Sequence, residues 1–214
     1  IISWPGHGLT NTRLKELTST IDLYPTFLSI AGLTVPEYLP GRSLLPLLKG
    51  EETVWRKFLF TEYHVHSNHN PYPQRTVRNE KYKMIYNPLS GTENPGYGFT
   101  LKKTVKISEE MLLKNADAGV RMAYRRMKNP PEYELYDLIS DPFEMKNISE
   151  DENYAGILQR LKEALRSWQI RTDDPLIDEA KARQLFEMVQ ETGTTGPRKV
   201  VPYSRLMDPK MKFE

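Results

Sequence analysis

Hydrophobic positions along the chain change from a helical period to a strand period and back again. Near the beginning, Leu23, Phe27 and Ile30 recur at helical spacing. Asp22 is a suitable N-cap for that segment and Gly32 a suitable stop. We therefore predict a short helix here that serves as an ordinary packing element.

Strand-like patterning follows in four segments: residues 57–66, 74–78, 81–87 and 133–138. Alternation in the first segment places Phe60, Glu62 and His64 on one face. The second and third segments are separated by Asn79 and Glu80, which predicts a hairpin with a tight turn. Together these segments predict a small, mainly antiparallel sheet of about four strands.

Helical spacing returns most clearly over residues 153–170, where apolar residues repeat about every 3.6 positions. Burial of that stripe on the sheet, at about 25 cal/mol per Å², is expected to supply much of the stability. A further helix is compatible with residues 176–190, and the rest of the C-terminal segment is predicted to be an extended arm. The predicted fold is thus α+β, a small antiparallel sheet packed by a C-terminal helix.

Composition and charge limit the partners that the chain could have. The formal charge of +2 is close to neutral, so charge alone predicts no nucleic acid or other polyanion as a partner. Cysteine is absent, which excludes disulfides and cysteine-ligated zinc but leaves the compartment open. No apolar run approaches the roughly 20 residues of a membrane-spanning helix, so no membrane span is predicted.

The histidines give the sharpest local signal for a binding site. His64 and His66 are two residues apart on a strand, so their side chains point the same way, beside Glu62. This set could bind zinc, but spacing fixes no third ligand, since His69 lies in a loop of unknown path. It could also bind an anionic group at a pocket mouth, or consist simply of surface histidines at a strand end. We predict no metal site in this segment.

Arg75 follows an aromatic residue and a proline, Tyr72 and Pro73. An arginine in that setting suits bidentate recognition of sulfate or carboxylate. It could instead form a structural pair with Glu62 or Glu80. The predicted substrate-binding set is His64, His66, His69 and Arg75. No catalytic residue is predicted, because the sequence has no Gly-rich phosphate loop, no G-x-S-x-G elbow and no supported pair of carboxylates.

Several motifs occur in the order found in sulfatases of the alkaline-phosphatase-like superfamily. The first group lies at residues 21–26, 31–33 and 41–46. The second group comprises residues 133–138, Asp141, Pro142, Glu144 and Asn147. Residues 72–78 and 82–87, and then Trp168, Gln169, Thr172, Asp174 and Pro175, are similar to heparan N-sulfatase (N-sulfoglucosamine sulfohydrolase). The chain thus resembles the C-terminal part of a sulfatase over roughly residues 1–175.

The resemblance implies a larger enzyme whose N-terminal α/β domain carries the chemistry. In that family a formylglycine nucleophile, made from a C/S-x-P-x-R motif, acts beside a calcium ion held by Asp and Asn residues. This sequence has neither that motif nor those aspartates, so no cofactor is expected in the segment and the chain alone is expected to be inactive. By position, the loop from His64 to His69 and Arg75 corresponds to the family segment that approaches the substrate.

The expected organisation has three parts: residues 1–52 as the remnant of the catalytic domain, 53–175 as the sulfatase C-terminal subdomain and 176–214 as an extended tail. The expected partners are a sulfated saccharide and the N-terminal catalytic domain, and the tail could support a homo-oligomer. A related phosphodiesterase or phosphonate hydrolase, or a stand-alone carbohydrate-binding module, are alternatives. An exposed apolar surface around Ile1, Ile2, Leu23 and Phe27 would speak against the stand-alone module. The compartment is open: periplasmic or secreted for a bacterial enzyme, lysosomal for a eukaryotic one.

Overall fold

The computed structural model describes residues 1–64 and 71–193, which fall into two compact units. The first unit comprises Ile1–Leu59, and the second begins at Phe60. Two short helices organise the first unit: α1, Leu23–Ile30, and α2, Leu45–Lys49. The hydroxyl of Thr26 accepts a hydrogen bond from the amide of Leu44 at 2.8 Å, which ties α1 to the residue before α2.

Asp22 lies at the N-cap position of α1 but makes no side-chain cap there. Its buried carboxylate instead accepts hydrogen bonds from the backbone amides of Ser19 and Arg42, each at 2.8 Å. It also accepts hydrogen bonds from both terminal nitrogens of Arg56, at 2.5 and 3.0 Å. The residue predicted to start a helix therefore joins three separate segments of the unit.

The apolar face of α1 is largely exposed, with Phe27 at 62%. Its exposed apolar residues are Leu23, Tyr24, Phe27 and Ile30. The buried positions of the helix are Pro25 and Thr26 instead. The helix is present as predicted, but its interpretation as an ordinary packing element is wrong within the first unit, because the apolar stripe does not pack there.

The second unit is built on a sheet in the order β1-β2-β3-β4. Its strands are β1, Leu59–Tyr63, β2, Gln74–Arg78, β3, Tyr82–Tyr86, and β4, Tyr133–Asp137. The pairs β2–β3 and β3–β4 are antiparallel. The side chain of Asn79 accepts hydrogen bonds from the amides of Lys81 and Tyr82, which fixes the turn between β2 and β3. The predicted small antiparallel sheet is confirmed.

Three helices are inserted between β3 and β4: α3, Pro95–Phe99, α4, Glu109–Asn115, and α5, Ala118–Lys128. A π-helical turn, Thr100–Val105, follows α3. Helix-forming residues run from 108 to 128, yet α4 and α5 are separate. Asp117 is extended, and its side chain accepts a hydrogen bond from the amide of Val120 at 2.8 Å, so a new helix begins there.

Helix α6, Ala155–Arg171, packs against β2 on one face of the sheet. Val77 pairs with Met84, and Met84 pairs with Leu135, so three neighbouring strands present one apolar row. These three side chains and Leu161 of α6 are almost completely buried. The apolar stripe predicted over residues 153–170 therefore forms the helix that covers the sheet.

Helix α7, Glu179–Gly193, follows a 3-10 turn at Pro175–Ile177. A buried cluster joins it to the connections around β2 and β3: Tyr72, Leu89, Leu176, Ala182, Leu185 and Val189. The segment predicted as an extended tail from residue 176 thus begins with a packed helix, because its apolar residues find a core; residues 194–214 lie outside the described part. Within residues 1–64 and 71–193, no helix is long and apolar enough to cross a membrane.

Candidate functional site at the end of β1

Polar side chains meet where β1 ends, at the position of the predicted histidine cluster. Nε2 of His64 lies 3.4 Å from Oε2 of Glu62. The two residues share one side of the chain, as strand alternation predicts. The Glu62 side chain is 51% exposed and that of His64 is 16% exposed, so the pair reaches the surface. His66 and His69, the other predicted histidines, lie outside the described residues.

Arg75 lies on β2 with only 1% of its surface exposed. Its Nε and Nη2 donate to the two carboxylate oxygens of Asp174, at 2.8 and 2.6 Å. Its Nη1 donates to the carbonyl of Gln74 at 3.0 Å, and its Nη2 lies 3.8 Å from Oε2 of Glu62. Arg75 therefore recognises a carboxylate in bidentate fashion, as predicted for its type, but that carboxylate belongs to this chain. Substrate binding by Arg75 stays a prediction.

Asp174 is held as an anion by its neighbours. Nε2 of Gln169 donates to it at 2.9 Å, and the amide of Leu176 donates at 3.1 Å. Burial by itself raises the pKa of the Asp174 carboxyl, but the hydrogen bonds and charge of Arg75, with those two further donors, outweigh burial and hold that pKa below its ordinary value. The buried arginine thus has a charged partner at neutral pH.

Glu62 is also held as an anion. The hydrogen bond with His64 lowers the pKa of its carboxyl; partial burial opposes that change, and the charge of Arg75 adds to the lowering. A carboxylate beside an imidazole fixes the orientation of the ring. The Glu62 carboxylate therefore lies between His64 and the buried pair of Arg75 and Asp174.

The described residues provide no metal centre. Across residues 1–64 and 71–193, no three His, Asp or Glu side chains are grouped as metal ligands. The resemblance places its calcium ion in the N-terminal catalytic domain, so none of these residues is assigned to it.

Asp174 and Gln169 were not predicted as members of this cluster. Asp174 lies 99 positions from Arg75 along the chain, so no local pattern connects them. The signal that could have found them is the motif likeness around Trp168, Gln169, Asp174 and Pro175, to which no role was assigned. Of the two structural partners considered for Arg75, Glu62 is near it, at 3.8 Å, while the direct partner is Asp174.

Comparison with known proteins gives matches to sulfatases. The first 92 residues match the family model for the C-terminal region of N-sulphoglucosamine sulphohydrolase. An ulvan-active sulfatase of Formosa agariphila is 28% identical over 220 residues, covering 96% of this chain and 40% of that protein. The N-sulphoglucosamine sulphohydrolase of Homo sapiens is 29% identical over 197 residues, covering 83% of this chain and 37% of that protein.

A solved structure agrees with the sequence matches. A 2-O GAG sulfatase superposes with a TM-score of 0.57 at 26% identity, covering 79% of this chain and 29% of that one. These matches are to sulfatases. The chain is similar to sulfatases over most of its length, and its residues 1–92 are similar to the C-terminal region of N-sulphoglucosamine sulphohydrolase. The resemblance stated from sequence motifs is thereby confirmed. The chain spans 40% and 37% of the length of the two curated relatives.

Proposed function

We propose that this chain is the C-terminal part of a sulfatase that removes sulfate from a sugar, with N-sulfated glucosamine of heparan type as the expected substrate. The match of residues 1–92 to the C-terminal region of N-sulphoglucosamine sulphohydrolase carries this proposal. The nucleophile and its calcium ion are assigned to a catalytic domain outside the chain. The chain contributes to the substrate pocket and is inactive by itself.

The proposed contact with substrate is the pair Glu62 and His64. The partly exposed Glu62 carboxylate lies 3.4 Å from Nε2 of His64, and in this proposal the imidazole donates a hydrogen bond to a sulfate or carboxylate group of the substrate. A charge-assisted hydrogen bond of that kind contributes about 1.5–3 kcal/mol. In this proposal Arg75 supports Glu62 from below, at 3.8 Å, and His66 and His69 remain predicted members of the pocket.

The exposed apolar face of α1 supports a catalytic domain as the partner of the first unit. Tyr24 and Phe27 lie one helical turn apart and are more than half exposed, with Leu23, Ile30 and Leu33 exposed near them. A contiguous apolar surface of this kind on a soluble protein marks an interface. A stand-alone carbohydrate-binding module would have no use for it.

The test is made in the protein that includes the proposed catalytic domain. His64→Ala is expected to raise KM for N-sulfoglucosamine about tenfold, since about 1.4 kcal/mol of binding free energy is lost. The value of kcat is expected to change little, because His64 is not assigned to bond cleavage. Glu163→Gln is the matched control: Glu163 is exposed on α6 and accepts a hydrogen bond from Gln159 of the same helix, so its substitution leaves both constants unchanged.

Three results would contradict parts of the proposal. Unchanged kinetics of His64→Ala on N-sulfated and O-sulfated sugars would remove His64 from the pocket. A clear preference for O-sulfated sugars would overturn the heparan-type substrate and leave the sulfatase class intact. Release of sulfate by the 214-residue chain alone would overturn the assignment of the chemistry to another domain.

A further inference from the structure

A cavity of about 400 Å³ lies within the second unit, lined by the sheet and α5. Because side chains alternate along a strand, Gln74, Ile85 and Tyr136 lie on the opposite face of the sheet from the apolar row that α6 covers. Ala123 and Arg126 of α5 form the other wall. The volume falls in the range of about 300–1,000 Å³ that is typical of small-molecule sites.

The polar wall of the cavity is fixed before any ligand binds. The carboxylate of Glu134 accepts hydrogen bonds from Nδ2 of Asn87, at 3.0 Å, and from the hydroxyl of Tyr136. Nε of Arg126 lies 3.3 Å from the same carboxylate. Gln74 donates to Oδ1 of Asn87 at 2.6 Å. These bonds hold the amide, carboxylate and guanidinium groups in one arrangement, so little conformational entropy remains to be lost on binding.

The cavity has no excess positive charge to attract a sulfate group. The guanidinium of Arg126 is neutralised by Glu134, and Nζ of Lys83 lies 2.7 Å from the carboxylate of Glu144. Burial, with the nearby charge of Glu134, raises the pKa of Tyr72 to about 12, so that phenol stays neutral at ordinary pH. The two positive side chains already pair with the carboxylates of Glu134 and Glu144, so a buried sulfate would find no unpaired cation. This favours an uncharged ligand.

The lining combines apolar and polar residues. Tyr63 and Ile85 are partly exposed apolar residues of the lining, Gln74 and Asn94 are partly exposed polar ones, and the nearly completely buried Tyr72 and Tyr136 form the wall behind them. Sugars have apolar C–H faces and a rim of hydroxyls that both donate and accept hydrogen bonds. We propose that this cavity binds one uncharged saccharide unit, packed against Tyr63 and Ile85 and held by the amide and carboxylate groups. This inference does not depend on the proposed sulfatase activity.

The experiment is a titration of the 214-residue chain, followed by backbone amide NMR. The probes are glucose, galactose and N-acetylglucosamine, with 6-O-sulfated N-acetylglucosamine as the charged counterpart. At least one neutral sugar is expected to shift the amides of Ala123 and Tyr136 with millimolar or better affinity. The sulfated counterpart of a bound sugar is expected to bind at least about tenfold more weakly.

Ala123→Leu is the blocking variant, because its added methyl groups enter the cavity from the α5 wall. It is expected to weaken binding of the neutral sugar about tenfold or more. Ala118→Leu is the matched control, since Ala118 is exposed at the start of the same helix and outside the lining. It is expected to bind like the unsubstituted chain.

Each contrary result overturns the inference. No shift with any neutral sugar in the unsubstituted chain removes the site whether or not the variants fold. Tighter binding of the sulfated sugar contradicts the charge assignment. Equal binding by Ala123→Leu and Ala118→Leu places the sugar elsewhere.

Discussion

Both units contain a buried arginine–aspartate pair, and the two pairs use nearly the same chemistry. Asp22 accepts two hydrogen bonds from Arg56 and two from backbone amides. Asp174 accepts two from Arg75, one from the side-chain amide of Gln169 and one from a backbone amide. In both cases four donors compensate the carboxylate for the water lost on burial.

The surroundings of the two pairs differ. Arg56 keeps 12% of its side-chain surface exposed and lies 34 positions from Asp22 along the chain. Arg75 is 1% exposed and lies 99 positions from Asp174 along the chain. Its guanidinium is also 3.8 Å from the half-exposed carboxylate of Glu62. The first pair thus joins segments within the first unit, whereas the second ties the C-terminal segment to the sheet and lies beside the partly exposed Glu62. Similar bonds can therefore stabilise one region and support a candidate site in another.

The largest effect is expected from Arg75→Met. Removal of this guanidinium leaves the Asp174 carboxylate buried without its main partner, so the free energy of unfolding should fall by about 3–5 kcal/mol. Urea denaturation of the variant and the unsubstituted chain measures the change. A loss below about 1 kcal/mol would mean that water replaces Arg75 freely, and the contrast with the first pair would disappear.

Arg56→Met is expected to have a smaller and more local effect. Water can approach the edge of this pair, and Asp22 retains the amides of Ser19 and Arg42, so the loss should be about 1–3 kcal/mol. Hydrogen exchange at the Arg42 amide reports it directly. If the Arg42 amide exchanges as slowly as in the unsubstituted chain, Arg56 is not needed for the hydrogen bond between Arg42 and Asp22.

Lowering the pH should reduce the contribution of the Arg75–Asp174 pair to the free energy of unfolding. The pKa of Asp174 is lower in the folded chain than its ordinary unfolded value of about 3.9, so its contribution to stability is complete above that value and is lost as pH falls toward the folded pKa. Asp174→Asn has no such titration, so its urea midpoint should fall less steeply below about pH 4. Parallel curves for the two proteins would contradict the lowered pKa.

The smallest effect on stability is expected from Glu62→Gln. Its side chain is half exposed and its pairs with His64 and Arg75 are long, so the free energy of unfolding should change by no more than about 0.5 kcal/mol. Urea denaturation of the variant and the unsubstituted chain measures the change. A loss above about 1 kcal/mol would mean that Glu62 belongs to the buried network of Arg75 and Asp174 and is not a surface pair.

Much of the second unit was predictable because its signals are local. The hairpin between β2 and β3 followed from two strand-like segments and a short polar turn, and α6 followed from its apolar stripe. The division between α4 and α5 was not predicted, since Asp117 acts as a cap only when the chain around it is extended. The partner of Arg75 was not predicted because the pairing depends on how α6 returns the chain to β2.

The sequence by itself determined the strands of the sheet and the helices α1 and α6, because side-chain periodicity and capping act over a few residues. It also determined the neighbour relation of Glu62 and His64, since a strand repeats every two residues. Only the tertiary structure decided that α1 keeps its apolar face exposed and that Arg75 binds Asp174. Periodicity tells which face of an element is apolar, but what covers that face, and which distant carboxylate meets a buried charge, depends on the folded path of the whole chain.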